Sequence, residues 1–406
     1  VANHRDLPAP HRAAPLAPVL ALTWLASLGT GAVTNGLFFV THEHLGFGEV
    51  RNLLLALVMG ASYTLGAWRA APAIRALVRR SPRLTTRACL GWTNALLAAV
   101  SFLPWFTGGP EWAFWVMACV YLPLTGVLWP VVEAYLSGGR RGAALRKATG
   151  AFNFTWSTAV LAAFWLMAPA LEFAPLAVVA GMGVVHVLGA VLAARLPVEP
   201  AGHGGDASEP HPPVYERLLP VFRVLLTLSY VLINAMEPIL PARLSAMGVR
   251  AGLAAPLASL WTAARVGVFV LCAYWHGWHG RWRTVVWTAA AMLAGFTLVA
   301  TGASVPAVAI GLALFGVGAG GVYVAAIYYA MTVGRAEVDA GGAHEAVIGL
   351  GYTAGPLPAL TAHGLVAAGV IPLGSLGLVT VALVAVVVLA ALALASILAR
   401  RHADRR

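Results

Sequence analysis

Long apolar runs separated by short polar breaks dominate the chain. From Leu16 to Ala399 about a dozen of them follow one another, each roughly 20 residues long, the length that carries a helix across a hydrocarbon core. None shows two-residue alternation, which excludes a β-barrel. Backbone groups in lipid must then find partners within their own helix. The pattern predicts spans at 17–40, 50–70, 87–107, 112–136, 148–170, 174–195, 218–241, 251–274, 284–303, 305–331, 344–368 and 373–399. The expected fold class is an all-α polytopic membrane protein of about 12 transmembrane helices. One linker interrupts the series, PVEPAGHGGDASEPHPPVY from Pro197 to Tyr215. Its proline, glycine and acid content cannot pack a core, so it reads as a flexible tether.

Composition agrees with this pattern. Apolar residues make up 60% of the chain and charged ones 10%, and the mean hydropathy is +0.81. The net charge is +11, which in a soluble protein would suggest nucleic acid. Here the basic residues gather in loops on one side, so no nucleic-acid partner is expected. Arg69, Arg75, Arg79, Arg80, Arg83 and Arg87 flank the loop after the second span. Arg140, Arg141, Arg146 and Lys147 follow the fourth, Arg281 and Arg283 the eighth, and Arg400, Arg401, Arg405 and Arg406 end the chain. The other side carries Arg51, Arg243 and Arg250. The positive-inside rule places both termini and the linker in the cytoplasm of a multi-pass bacterial inner-membrane protein. The first 15 residues, with Arg5 and Arg12, precede no A-x-A-like site, so no removable signal peptide is expected.

Two weak internal repeats straddle the linker. Gly126 and Gly320, Trp129 and Tyr323, and Tyr135 and Tyr329 match at an offset of about 194, and Trp156 and Tyr352 at nearly the same one. Parallel repeats of this kind build transporters with a site at their interface. Twelve spans, cytoplasmic termini, a central linker and a six-plus-six repeat resemble the major facilitator superfamily over nearly the whole chain. The family's loop signature, Gly-x-x-x-Asp-Arg-x-Gly-Arg-Arg, is met here by GAWRAAPAIRALVRRSPR, which lacks the acid. A degenerate echo runs from Gly277 to Arg283. Drug antiporters of the family carry Gly-Pro-x-x-Gly in the fifth helix; this one reads Asn153-Phe154-Thr155-Trp156-Ser157, and a Gly355-Pro356 pair sits in the eleventh. The resemblance implies two pseudo-symmetric six-helix bundles, 1–195 and 217–406, joined by a linker at 196–216. It also implies alternating access to a solute held midway, in a cavity lined by the first, fourth, seventh and tenth helices.

Polar stripes at helical spacing test that expectation. The first span carries Thr23, Ser27, Thr30 and Thr34 with Asn35 nearby. The fourth carries Tyr121, Thr125, Trp129 and Glu133, and the seventh Thr227, Tyr230, Asn234 and Glu237. Interhelical glue is the alternative role for such hydroxyls. The tenth span is paved with glycine and then Tyr323, Tyr328 and Tyr329, which suits either a bend or close packing. Asn153 and Trp156 in the fifth span pair by repeat with Tyr352 in the eleventh, offering flat faces with polar handles.

Arg265 is the most expensive residue, roughly 15 Å deep by helical rise. A charge there costs at least about 2.5–3.5 kcal/mol, so it must face a wet cavity or pair with an acid; Glu133 and Glu237 are the candidate partners. Trp261 lies one turn before it. Either carboxyl could also relay protons, or merely reach water from a helix end. His186 and His363 are intramembrane, with a relay as one reading; His42, His44, His276, His279 and His344-Glu345 fall at loops and interfaces.

No H-E-x-x-H, P-loop or G-x-S-x-G occurs, and Cys89, Cys119 and Cys272 show no metal or disulfide spacing. No catalytic residue, metal or cofactor is therefore expected. The leading function is secondary active transport of a small organic solute by a monomer, with proton coupling left open. Efflux of amphipathic, drug-like compounds is the alternative; a polytopic membrane enzyme ranks behind it and a channel last.

Overall fold

The computed structural model describes residues 13–80, 84–202, 210–333 and 348–403. Arg5, Arg12, Arg83, His344, Glu345, Arg405 and Arg406 lie outside the described residues, as do the side chains of Arg75, Arg79, Arg80, Arg400 and Arg401. Among the described residues, eleven helices are long and apolar enough to cross a membrane. They are α1 (Leu16–Leu45), α2 (Glu49–Arg69), α3 (Thr86–Phe106), α4 (Glu111–Ser137), α5 (Gly142–Phe173), α6 (Pro175–Ala193), α7 (Val214–Ala246), α8 (Ala251–Tyr274), α9 (Trp282–Thr301), α10 (Val305–Thr332) and, after a broken helix, α12 (Leu373–Ala393). The broken helix, α11, is helical over 348–367 except at Gly355. It occupies the place of the expected eleventh span, which brings the long apolar helices to eleven or twelve. Large apolar side chains such as Trp92, Trp112, Trp165 and Phe173 stay exposed on the outside, as a lipid-facing surface requires.

The first six helices pack among themselves through α2 on α4, α3 on α6 and α1 on α5. The last six do so through α9 on α10, α8 on α10 and α11 on α12. The two groups meet along α5–α8 and α2–α11. Glycines set how closely helices approach. A Cβ on Gly60 would lie 2.5 Å from the Tyr352 carbonyl carbon, and one on Gly316 would lie 2.0 Å from the Trp261 oxygen. No side chain fits at either distance.

Among the described residues, four helices are broken, each within four residues of a side chain that faces the centre. α1 widens into a π-turn at Ala32–Gly36, a rare form that marks functional sites. α7 tightens into a 3-10 turn at Glu237–Ile239, where Pro238 removes a backbone donor. α8 breaks at Ser259 and α11 at Gly355. Broken helices are where transporters place solute and ion sites.

The linker departs from expectation at its start. Residues 197–202 pack against the first six helices rather than hanging free. Tyr135 donates its hydroxyl to the Pro197 carbonyl at 2.9 Å. The Arg87 amide donates to the Val198 carbonyl at 3.2 Å, and the Gly139 amide to that of Gly202 at 3.3 Å. The Glu199 carboxylate accepts from the Thr86 amide at 3.0 Å and from its hydroxyl. An acid at the first turn of α3 meets the positive end of the helix dipole, so composition alone misjudged this stretch.

Candidate functional site

A cavity of about 130 Å³ lies between the two groups of helices. Its first-group wall includes Ser27, Thr30, Thr34 and Asn35 of α1, Tyr63 of α2, Trp129 and Glu133 of α4, and Trp156 of α5. Its second-group wall includes Tyr230 of α7, Trp261 and Arg265 of α8, Tyr323 of α10 and Tyr352 of α11. On the side away from the termini, α7 is buried at every residue from 228 to 241, and Leu37–Thr41 of α1 are buried too. That end is sealed. Glu133, Phe152 and Tyr323 extend the lining toward the end that carries the termini.

Among the described residues, two hydrogen-bond contacts and the Tyr63–Tyr352 ring pair join α2 to α11 across the interface. His363 Nε2 lies 3.1 Å from Glu49 Oε2, and the Thr64 and Thr353 hydroxyls are 3.1 Å apart. The α1 stripe is shaped by the π-turn. Thr34 donates to the Thr30 carbonyl at 2.8 Å, and Asn35 Nδ2 donates to the Gly31 carbonyl at 3.1 Å.

Arg265 is 3% exposed and surrounded by aromatic rings. Its guanidinium carbon stands 4.5 Å from the Trp156 ring centre, 4.6 Å from Tyr323, and 5.7 Å from both Trp261 and Phe269. Each such contact supplies roughly 0.5–2 kcal/mol. Of the two placements expected for it, a cavity wall or an acid partner, Arg265 takes the first; among the described residues, neither Glu133 nor Glu237 forms an ion pair with it. Its Nε has no hydrogen-bond partner. Trp156 comes from the first group of helices and Arg265 from the second, so this cluster also crosses the interface.

Glu237 is fully buried and accepts from Trp261 Nε1 at 2.5 Å, while its other oxygen is unpartnered. The same indole stands 5.7 Å from the Arg265 guanidinium, so Trp261 touches both. Asn153 lies beside the cavity, its side-chain oxygen accepting from Trp156 Nε1 at 3.2 Å and from the Tyr323 hydroxyl at 3.4 Å.

Three expected residues are absent from the lining: Asn153, which stands beside it, Asn234 and Tyr121. Asn234 donates to the Tyr352 carbonyl and ties α7 to α11. Tyr121 is fully buried inside the first group, its hydroxyl 2.6 Å from His186 Nε2, while His186 Nδ1 lies 3.3 Å from Asn94 Oδ1. The cause is geometric. Steps of four residues advance about 40° beyond a full turn each, so the stripe from Glu133 back to Tyr121 rotates off the cavity face. With its ring between Tyr121 and Asn94, His186 pins α3, α4 and α6 together. Tyr121→Phe should lower unfolding stability by about 1 kcal/mol, the usual worth of a buried interhelical bond; thermal denaturation checks it.

His42 Nδ1 lies 2.7 Å from the Phe47 carbonyl and His44 Nε2 3.0 Å from that of Gly109, so both serve loops. Among the described residues no group of three potential metal ligands occurs. Tyr63 and Phe152 were not anticipated as lining. Tyr63 and Trp68 are the two aromatics of α2, and only Tyr63 sits mid-helix, which is the signal that could have found it. The repeat pairs keep matched positions. Trp129, Tyr323, Trp156 and Tyr352 all line the cavity, while Tyr135 and Tyr329 each bond a loop beyond the helix end, Tyr329 by accepting the Gly280 amide at 2.9 Å.

No family model and no curated protein matches the chain. Solved structures do. A variant of the nucleoside transporter NupG superposes with a TM-score of 0.65 at 11% identity, covering 93% of this chain and 99% of that one. A POT family transporter in complex with 5-aminolevulinic acid gives 0.65 at 10%, covering 93% and 95%. A structure described as giving insight into substrate recognition in proton dependent oligopeptide transporters gives 0.61 at 13%, covering 95% and 98%. At such identities the likeness speaks for architecture, and the chain has the major facilitator fold.

Proposed function

We propose that the protein is a secondary active transporter that moves a small organic solute by alternating access. The observation that carries this reading is the central cavity, sealed at one end, with a buried arginine between two packed groups of helices. The similar folds are those of a nucleoside transporter, a POT family transporter in complex with 5-aminolevulinic acid and proton dependent oligopeptide transporters, which supports solute transport over catalysis. The cavity is smaller than the roughly 300–1,000 Å³ of drug-sized sites, which favours a small solute over an amphipathic drug. The moving units are 1–195 and 217–406, tethered at 196–216, in a monomer with cytoplasmic termini in a bacterial inner membrane. The lining residues Thr30, Thr34, Asn35, Trp129, Trp156, Tyr230, Trp261, Arg265, Tyr323 and Tyr352 form the solute site, with Asn153 supporting Trp156.

A ligand that binds the folded state alone raises its melting temperature, so a thermal-shift screen finds candidate solutes. Counterflow in proteoliposomes then tests transport; absence of exchange for every stabilising solute would sink the reading.

Glu237 is proposed as the proton carrier, with Glu133 as the alternative. A buried carboxyl with one unpartnered oxygen is tolerable in lipid when protonated. For one proton per solute, a gradient of one pH unit sustains about tenfold accumulation. Glu237→Gln should keep counterflow and lose this accumulation. Accumulation that survives a protonophore in the wild type rejects proton coupling.

A further inference from the structure

We propose that the solute carries an oxyanion, a carboxylate or its equivalent, and that Arg265 binds it at the α5–α8 seam. The inference deepens the transport reading, on which it rests for the word solute, but it concerns binding and stands or falls on its own test. A guanidinium offers five N–H donors in a planar fork. In this protein the four nearest rings meet its charge yet offer no carboxylate oxygen, and among the described residues no acid pairs with it. Its Nε is buried without a partner, and the side chain lines the cavity. The Ser27 hydroxyl, on the facing wall, is likewise buried and unpartnered.

The site is thus a cation and a hydroxyl donor enclosed by aromatic faces. It lacks a bidentate acceptor, the ligand a guanidinium fork matches best. A neutral solute leaves the arginine without a counter-charge, and a cation beside it is repelled. Glu133, the other charged group on the lining, stands nearer the end that carries the termini. A solute with a second, cationic end therefore enters with its oxyanion foremost.

The test uses purified full-length protein and a fragment library built as matched triplets, each scaffold present as carboxylic acid, primary amide and amine. Thermal shift is read across concentration. The acids are expected to half-saturate at least about tenfold below their amides, with the amines weakest. Arg265→Gln, checked for a monodisperse elution profile, should erase the preference for acids. Arg265→Lys keeps the charge without the fork and should weaken it by a smaller factor. Three wild-type results overturn the proposal without any variant: amides equal to acids, amines preferred, or no acid hit in the library. A preference for acids that persists in folded Arg265→Gln overturns it as well. Acid binding without counterflow would sink the transport reading and leave this site standing; counterflow of a neutral solute, unaffected by Arg265→Gln, would do the reverse.

Discussion

Arg265→Met is expected to reduce uptake at least about hundredfold, the scale of removing one side of a desolvated charge contact, while the purified protein melts no earlier than the wild type. Two effects compete. The cation–π contacts with Trp156 and Tyr323 are lost, but so is the cost of holding a charge at this depth, about 2.5–3.5 kcal/mol on the lenient scale. Met refills the ring-lined space and regains sulfur–aromatic contact of about 0.3–1.5 kcal/mol. Buried charges replaced by well-packed apolar groups are often neutral or stabilising. A residue kept for structure would show the opposite pattern, a lower melting temperature with uptake preserved in the protein that folds. Melting curves and initial uptake rates on the same preparation separate the two.

Bridging α2 to α11 at their sealed end is expected to stop turnover. His363 and Glu49 meet there at 3.1 Å across the two groups of helices. If the groups rock, this contact must open in every cycle. With Cys89, Cys119 and Cys272 replaced, Glu49→Cys and His363→Cys joined by a short bis-methanethiosulfonate should lower uptake by at least about tenfold, as expected where a conformational step sets the rate. Reductant should restore it. Binding measured by thermal shift should survive the bridge, because the lining around Arg265 does not change. Full uptake by the bridged protein would show that the sealed end never opens.

Much of this architecture was legible in the chain because lipid imposes a simple rule. Helix number followed from apolar length, and the repeat pairs Trp129–Tyr323 and Trp156–Tyr352 marked four residues that do line the cavity. Arg265 stood out by its cost alone. What escaped depends on three-dimensional detail. The α1 π-turn at Ala32–Gly36 leaves no mark in the hydrophobic pattern. Tyr121 belonged to a stripe whose four-residue step drifts around the helix, so periodicity placed it wrongly. Cost alone left Arg265 either a cavity wall or an acid partner; the structure gives it the cavity wall and an α5 indole. The linker read as a tether by composition, yet Glu199 finds the first turn of α3.

The most direct test of the rocking motion is a distance across the sealed end. Val50 at the start of α2 and Leu373 at the start of α12 are exposed and line one surface depression, so spin labels on cysteines at these positions perturb no packing. Double electron–electron resonance in lipid nanodiscs should give a short distance that matches this sealed conformation. A second, longer population should grow when a stabilising solute is added. A single short distance under every condition, in protein that still carries out counterflow, would contradict alternating access by two rocking halves.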